Sequence, residues 1–263
     1  MNHLCDDLLA EWEDLDRLLA PLDEARWALA TPAPGWAIRD QIGHLAYFDD
    51  VARHAALDPE GFRIERDRSL ADAGSLVDRA TESYRHLSGA ALRTWLRQAR
   101  AALVEVARPL DPGHRVPWYG PDMSMASSVT ARLMETWAHG QDVADALDVT
   151  RVPTERLRHI AFIGVRALPN SYRAQGRPVP DASLRAELTG PGGERWVIGP
   201  ADATDVVRGP ALDFCLLVTQ RRHPADTALV ADGAVAAEWM TIAQAFAGPP
   251  GAGRAAGERP TSR

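Results

Sequence analysis

Along the first twenty residues Leu4, Leu8, Leu9, Trp12, Leu15, Leu18 and Leu19 recur at helical spacing between acidic side chains, so one apolar stripe runs down a first helix. Pro21 ends it. The prolines and glycine of TPAPGW, residues 31–36, predict a loop, and 38 to about 54 reads as a second helix with Ile42, Leu45, Phe48 and Val51 inward. An arginine-rich polar stretch near 58–69 leads to a third helical region at roughly 70–86. After a break at Ser88 and Gly89, Leu92, Leu96, Leu103, Val104 and Leu110 mark a long helix over about 89–108. Pro109, Pro112, Gly113, Pro117, Gly120 and Pro121 make the next segment a loop. A further helix over about 124–147 carries Val129, Leu133, Trp137 and Val143 on one side.

Residues 148–153 read as a connection, after which Thr154 is placed to cap a helix reaching about residue 172. The pattern then changes period. Residues 184–189 alternate apolar and polar, GPGG supplies a turn, and 194–198 return as the second strand of a hairpin. Helices are expected over 212–219 and over 234–246, the latter built on Val235, Trp239, Ile242 and Phe246. The fold class is therefore α+β: a helical bundle over 1–150, a smaller α/β domain over 151–248, and a disordered tail over 249–263, rich in Gly, Pro and Arg without periodicity.

Composition narrows the function classes. With 263 residues, 46% hydrophobic and 25% charged, the chain has the make-up of a globular protein. A formal charge of -7 argues against a general nucleic-acid surface, which needs clustered positive charge. All 29 basic side chains are arginine, which removes a Schiff-base lysine and a P-loop lysine from consideration. Cys5 and Cys215 are too few for a disulfide framework or a cysteine-rich zinc site, and a reducing compartment is expected. Acidic residues stand near the N-terminus where a signal peptide is basic, and no apolar run approaches the roughly 20 residues that span a bilayer. The expectation is a cytoplasmic protein with neither membrane nor nucleic acid as partner.

Candidate chemistry lies in METWAHGQD. Glu135 and His139 are four residues apart, so a helix sets both side chains on one face, where they can grip one ion. The same spacing also suits an ordinary hydrogen bond between helix neighbours. His44, on the second helix, would add a third ligand. Carboxylate and imidazole suit zinc, and also iron, nickel or manganese, because affinity alone does not choose among them. Three protein ligands leave a position open for water or substrate, as in catalytic rather than structural zinc sites.

The segments GWAIRDQIGHLAYFD and ARLMETWAHGQDVADAL resemble the two metal-binding segments of the DinB-like four-helix bundle found in mycothiol-dependent maleylpyruvate isomerases and their actinobacterial relatives. The resemblance implies that bundle for the first domain. It also implies the family's ligands, one histidine on the second helix and a Glu-x-x-x-His pair on the last, at His44, Glu135 and His139. Further along, LLVTQRRHPADT is similar to a family helix ending in a Gly-Arg pair, with Arg221 in the arginine's place and Gln220 where the glycine stands. The implied catalytic role of Arg221 therefore crosses a departure from the motif.

The same resemblance implies two cofactors, a divalent metal and mycothiol or another low-molecular-weight thiol. On zinc a thiol loses its proton near neutral pH and becomes a nucleophile. The expected function is a metal-dependent thiol isomerase or S-transferase acting on a small electrophile, at a site between bundle and second domain. A metal-dependent hydrolase using metal-bound hydroxide is one alternative. The other is a non-catalytic protein that binds metal and a small ligand.

Other residues qualify by position. Arg132, one turn before Glu135, is placed to bind a substrate carboxylate or hold Glu135, and Asp142, three residues after His139, to accept from a ligand imidazole. Each also reads as a solvated charge. In the loop VPWYGPDMS, Trp118, Tyr119 and Met123 either line the mouth of the site or cover a core edge. An acid or base within reach of the ion is sought among Tyr47, Asp49 and Asp50. His114 and His159 have no partner spacing and read as structural or exposed.

Overall fold

The apolar stripes become long helices whose starts are fixed by local hydrogen bonds. In the computed structural model, which describes residues 1–71, 75–251 and 253–258, α1 spans Asn2–Leu19, α2 Glu24–Trp27, α3 Ile38–Leu57 and α4 Pro59–Ala71. Then follow α5 (Leu76–Tyr84), α6 (Gly89–Ala107), the two-residue strands β1 (Arg115–Val116) and β2 (Met123–Ser124), and α7 (Met125–Ala146). The Ser88 and Ser124 hydroxyls accept from the backbone N–H groups of Ala91 and Ser127, satisfying donors that the first turns of α6 and α7 would leave orphaned. At α3 the Asp40 carboxylate reaches back 2.8 Å to the Ala37 N–H.

The chain divides into two units, Met1–Thr150 and a second beginning at Arg151. In the first, α1, α3, α6 and α7 close a four-helix bundle: α1 and α3 each pack on both α6 and α7. Leu8, Leu15, Ile42, Leu45, Leu96, Leu103, Val129 and Leu133 are fully buried. Each such side chain contributes about 1.5–3 kcal/mol of hydrophobic stabilisation. Helices α4 and α5 lie against α3.

The polar stretch near 58–69 proves to be the helix α4. Among its thirteen residues Phe62 is the one buried, so there was no apolar stripe to read. The next helix starts at Leu76 rather than near residue 70, and residues 72–74 of that expected helix lie outside the described residues.

The second unit is built on a sheet of strand order β4-β3-β5-β6, from β3 (Leu184–Thr189), β4 (Arg195–Ile198), β5 (Asp205–Pro210) and β6 (Val230–Asp232). The hairpin β3–β4 is antiparallel as expected, whereas β5 runs parallel to β3 and antiparallel to β6. Neither β5 nor β6 was expected: DVVRGP ends in turn residues, and β6 has three residues. Helices α8 (Leu157–Arg166) and α10 (Ala211–Val218) pack on each other and on the sheet.

Helix boundaries here differ from expectation. The helix expected from Thr154 starts at Leu157 without a side-chain cap, and it breaks at Ala167 into α8 and α9 (Leu168–Ala174), whose early Pro169 lacks the N–H a continuous helix would use. The last helix, α11 (Ala234–Met240), stops short of Phe246. Past it the Gln244 backbone N–H donates to Ser171 Oγ at 3.0 Å and the Ala245 N–H to the Val218 carbonyl at 2.8 Å, ties made to neighbouring helices instead of along its own axis. Of the expected disordered tail, the Gly257 N–H donates to the Asp226 carboxylate at 2.9 Å, and residues 252 and 259–263 lie outside the described residues. No helix among the described residues is long and apolar enough to cross a membrane.

Gly43 shows how closely the bundle's side helices approach. The Tyr84 ring, at the end of α5, lies where a Cβ on residue 43 would stand. In an open helix glycine to alanine gains about 1 kcal/mol. Gly43→Ala is expected instead to lose about 1–3 kcal/mol by overpacking, measured by urea unfolding; a gain in stability would mean that Tyr84 does not pack there.

Candidate metal centre

His44 faces α7 from α3, and the four-residue spacing on α7 brings Glu135 and His139 up to meet it. The donor atoms of the three side chains all lie within 4.8 Å of one another. His139 Nε2 is 3.2 Å from Glu135 Oε2, and the two imidazole centroids are 4.6 Å apart. A small inward shift would place all three on one ion at ligand distances of about 2.0–2.2 Å. His139 is buried while His44 and Glu135 are half-buried. The donor set fits a divalent ion: a ring nitrogen and a carboxylate oxygen face each other across a gap that either a proton or a cation must bridge.

Rings enclose the imidazoles. Trp36 stacks on His139 with centroids 5.8 Å apart and meets His44 edge-on at 5.3 Å, and Phe48 lies 4.6 Å from His44. Phe48 in turn touches Trp118 and Tyr119, and Phe62 of α4 stacks on Trp118. Helix α4 also pins that loop, with Arg63 on Asp122 at 3.0 Å and Arg66 on the Trp118 carbonyl at 3.2 Å. Of the three expected loop residues, Trp118 and Tyr119 thus join the wall that continues from His44. Met123 lies in β2, paired with Val116.

Burial by itself would raise the Glu135 carboxyl, but the hydrogen bond and charge of His139, with Arg132 and His44, outweigh it and bring the group to about 2. The sign follows: stability from ionised Glu135 is complete above the ordinary carboxyl range and is lost as pH falls toward about 2.

Beside these three side chains lies a buried charge cluster. Asp49, five residues after His44, accepts from Arg100 Nε at 2.6 Å and from Arg132 Nε at 2.9 Å, with no more than 5% of any of the three side chains exposed. Arg100 also donates to Thr136 Oγ1 at 2.8 Å, and Arg132 to the Leu45 carbonyl at 3.3 Å. The cluster corrects two expectations. Asp49 is committed to two guanidiniums rather than available as an acid or base, and Arg132 points into the core onto Asp49 rather than toward a substrate. Asp50 accepts from Trp95 Nε1 at 2.7 Å, and burial, with the charge of Glu65, raises the Tyr47 hydroxyl.

The acceptor on His139 Nδ1 comes from α3. His139 Nδ1 meets Gln41 Oε1 from α3, while Asp142 is buried on α7. Gln41, Asp49 and Arg100 were absent from or unresolved in the sequence reading, yet a signal existed. Gln41 falls on the stripe Ile38, Gln41, Ile42, Leu45, and a polar residue on a buried stripe must have an interior partner.

In the second unit Gln220 takes a left-handed backbone, φ 59, just past the end of α10, with its Nε2 donating to the Ala243 carbonyl at 3.2 Å. Glycine is the usual residue in this helix-ending conformation. Arg221 donates to the Thr219 carbonyl at 2.6 Å. His114 is exposed and His159 half-buried. Burial raises both thiols, Cys215 well above its ordinary value, so neither is a ready nucleophile.

Residues 8–144 match the family profile described as the mycothiol maleylpyruvate isomerase N-terminal domain. The chain belongs to this family. It is similar to two proteins of Mycobacterium tuberculosis, from strains CDC 1551 and H37Rv and each described as uncharacterized, at 48% identity over 248 residues, which is 94% of this chain and 96% of each relative. Among solved structures it resembles the mycothiol-dependent maleylpyruvate isomerase at a TM-score of 0.57 and 18% identity, covering 88% of this chain and 92% of that one. A point mutant of that isomerase matches at the same TM-score and 17% identity. At such identity the likeness shows the fold alone and bears out the α+β class; the family read from the sequence is borne out by the match over residues 8–144.

Three substitutions test the centre and its support. His44→Ala and His139→Ala are each expected to hold less divalent metal than the native chain loaded and purified alike, read as metal per chain by mass spectrometry; loading equal to the native chain in both would refute the site. Asp49→Ala leaves two buried guanidiniums without their carboxylate and is expected to cost about 3–5 kcal/mol in denaturant unfolding. A change within experimental error would show that the cluster is not buried in solution.

Proposed function

We propose that the chain is a divalent-metal-dependent enzyme of thiol chemistry, a mycothiol-type isomerase or S-transferase acting on a small electrophilic substrate. The observation that carries this reading is the meeting of His44, Glu135 and His139 within 4.8 Å on the bundle of a mycothiol maleylpyruvate isomerase family member. Zinc suits the donor set best, with nickel, iron or manganese as alternatives. A bound divalent ion would lower the pKa of a coordinated thiol so that it is held as thiolate near neutral pH.

The chain's own residues favour that form. With a divalent ion held by two neutral imidazoles and one carboxylate, the centre would keep net positive charge and so favour an anionic partner such as a thiolate. Trp36 and Phe48, packed against the imidazoles, keep water from their flanks and strengthen that attraction by lowering the local dielectric. Burial pushes the Tyr119 hydroxyl up to about 12, so it serves as a hydrogen-bond donor rather than a base. Trp118, Tyr119 and Phe62 offer an apolar wall to the carbon body of the electrophile. Arg221, by its place in the family motif, is proposed to hold an anionic group of the substrate or thiol.

Two imidazoles and a carboxylate with an open position also suit hydrolysis by metal-bound hydroxide, so the deciding variable is the thiol. On the reading proposed, mycothiol raises the melting temperature of the metal-loaded protein, and turnover of electrophilic substrates requires it. Turnover without any thiol would support the hydrolase instead. Saturable ligand binding with no turnover under either condition would support a binding protein.

A further inference from the structure

We infer that Gln41 and Thr31 are positioning residues that lock His139 in the tautomer presenting Nε2 to the metal; the inference rests on the metal centre proposed above. It follows from the direction of a chain of hydrogen bonds. The Thr31 hydroxyl is 2.8 Å from the Trp36 carbonyl, and a carbonyl only accepts, so the hydroxyl proton is committed there. Gln41 Nε2, 2.8 Å from Thr31 Oγ1, must then be the donor to it. That fixes the Gln41 amide with Oε1 toward His139, and His139 Nδ1 is left to donate to that oxygen. With the proton on Nδ1, the lone pair of the neutral ring sits on Nε2, the nitrogen that faces Glu135 at 3.2 Å.

Every link is placed to hold this order. Gln41 and Thr31 are buried, so water does not compete for their bonds. The Trp36 carbonyl is itself anchored by the Thr31 backbone N–H at 2.8 Å, and the Trp36 ring stacks on the His139 ring whose tautomer its carbonyl sets. The loop 31–36, which the sequence shows only as a proline-rich connection, is thereby part of the metal centre. An amide acceptor, unlike a carboxylate, orients the ring without adding a second negative charge.

The test is metal affinity, measured by competition between the purified full-length chain and a chromophoric chelator for zinc, with the cobalt-substituted absorption spectrum as a second readout. Gln41→Leu, close in volume, is expected to weaken zinc binding about 10–100-fold and to alter the cobalt bands. Thr31→Val is expected to weaken it less. Gln41→Glu restores an acceptor for the Nδ1 proton, and its affinity should return to the native level or above. A purely structural role predicts the opposite order, since a buried carboxylate disturbs packing more than leucine does. Native zinc affinity in a folded Gln41→Leu, or a Gln41→Glu weaker than Gln41→Leu, would overturn the inference while leaving the centre standing. Absence of zinc binding by the native chain would overturn the centre and the inference together.

Discussion

The bundle turns on one carboxylate. Asp49 on α3 sits between Arg100 on α6 and Arg132 on α7, the three side chains almost wholly removed from water. Such clusters add little net stability over apolar packing, because desolvation offsets most of the attraction, but a mismatched one is costly. Any slip of one helix by a turn would leave a charge buried and alone. The cluster therefore fixes the register of α3, α6 and α7, and with it the meeting of His44, five residues before Asp49, with Glu135, three residues after Arg132.

On this frame the ligand set needs little more than helical periodicity. Four-residue spacing on α7 aligns Glu135 with His139, and α3 delivers His44 across the bundle. Against its burial, the neighbouring charge of Arg132 helps to keep Glu135 ionised. Around these donors the structure sets rings rather than further charges: Trp36 and Phe48 against the imidazoles, Trp118, Tyr119 and Phe62 beyond. A centre of net positive charge in apolar walls suits an anionic sulfur ligand and an uncharged, electrophilic carbon. The proposed thiol chemistry draws on that combination.

Much of this was legible in the chain. The bundle helices α1, α3, α6 and α7 each bury a full stripe, so their periodicity was strong, and Ser88 and Ser124 marked two starts. Helix α4 buries only Phe62 and left no period to detect. Strand β5 is defined by pairing to β3 some twenty residues earlier and β6 by pairing to β5, contacts that local pattern does not encode. At the site, spacing offered Glu135 and His139, and family resemblance supplied His44. Arg132 bonds to Asp49 rather than to a substrate, and both sit on buried stripes, where a charged residue needs an interior partner. The link from His139 to Gln41 spans ninety-eight positions, and only the fold brings it about.

The most direct test of the centre is X-ray absorption at the edge of whichever metal the purified, thiol-free protein carries. The account predicts one ion whose first shell is nitrogen and oxygen at about 2.0–2.2 Å, with the outer-shell scattering of two imidazoles, and it predicts that this imidazole scattering falls by half in His44→Ala with whatever metal that variant can be made to hold. A first shell with sulfur in the absence of added thiol, or scattering without imidazole, would contradict it.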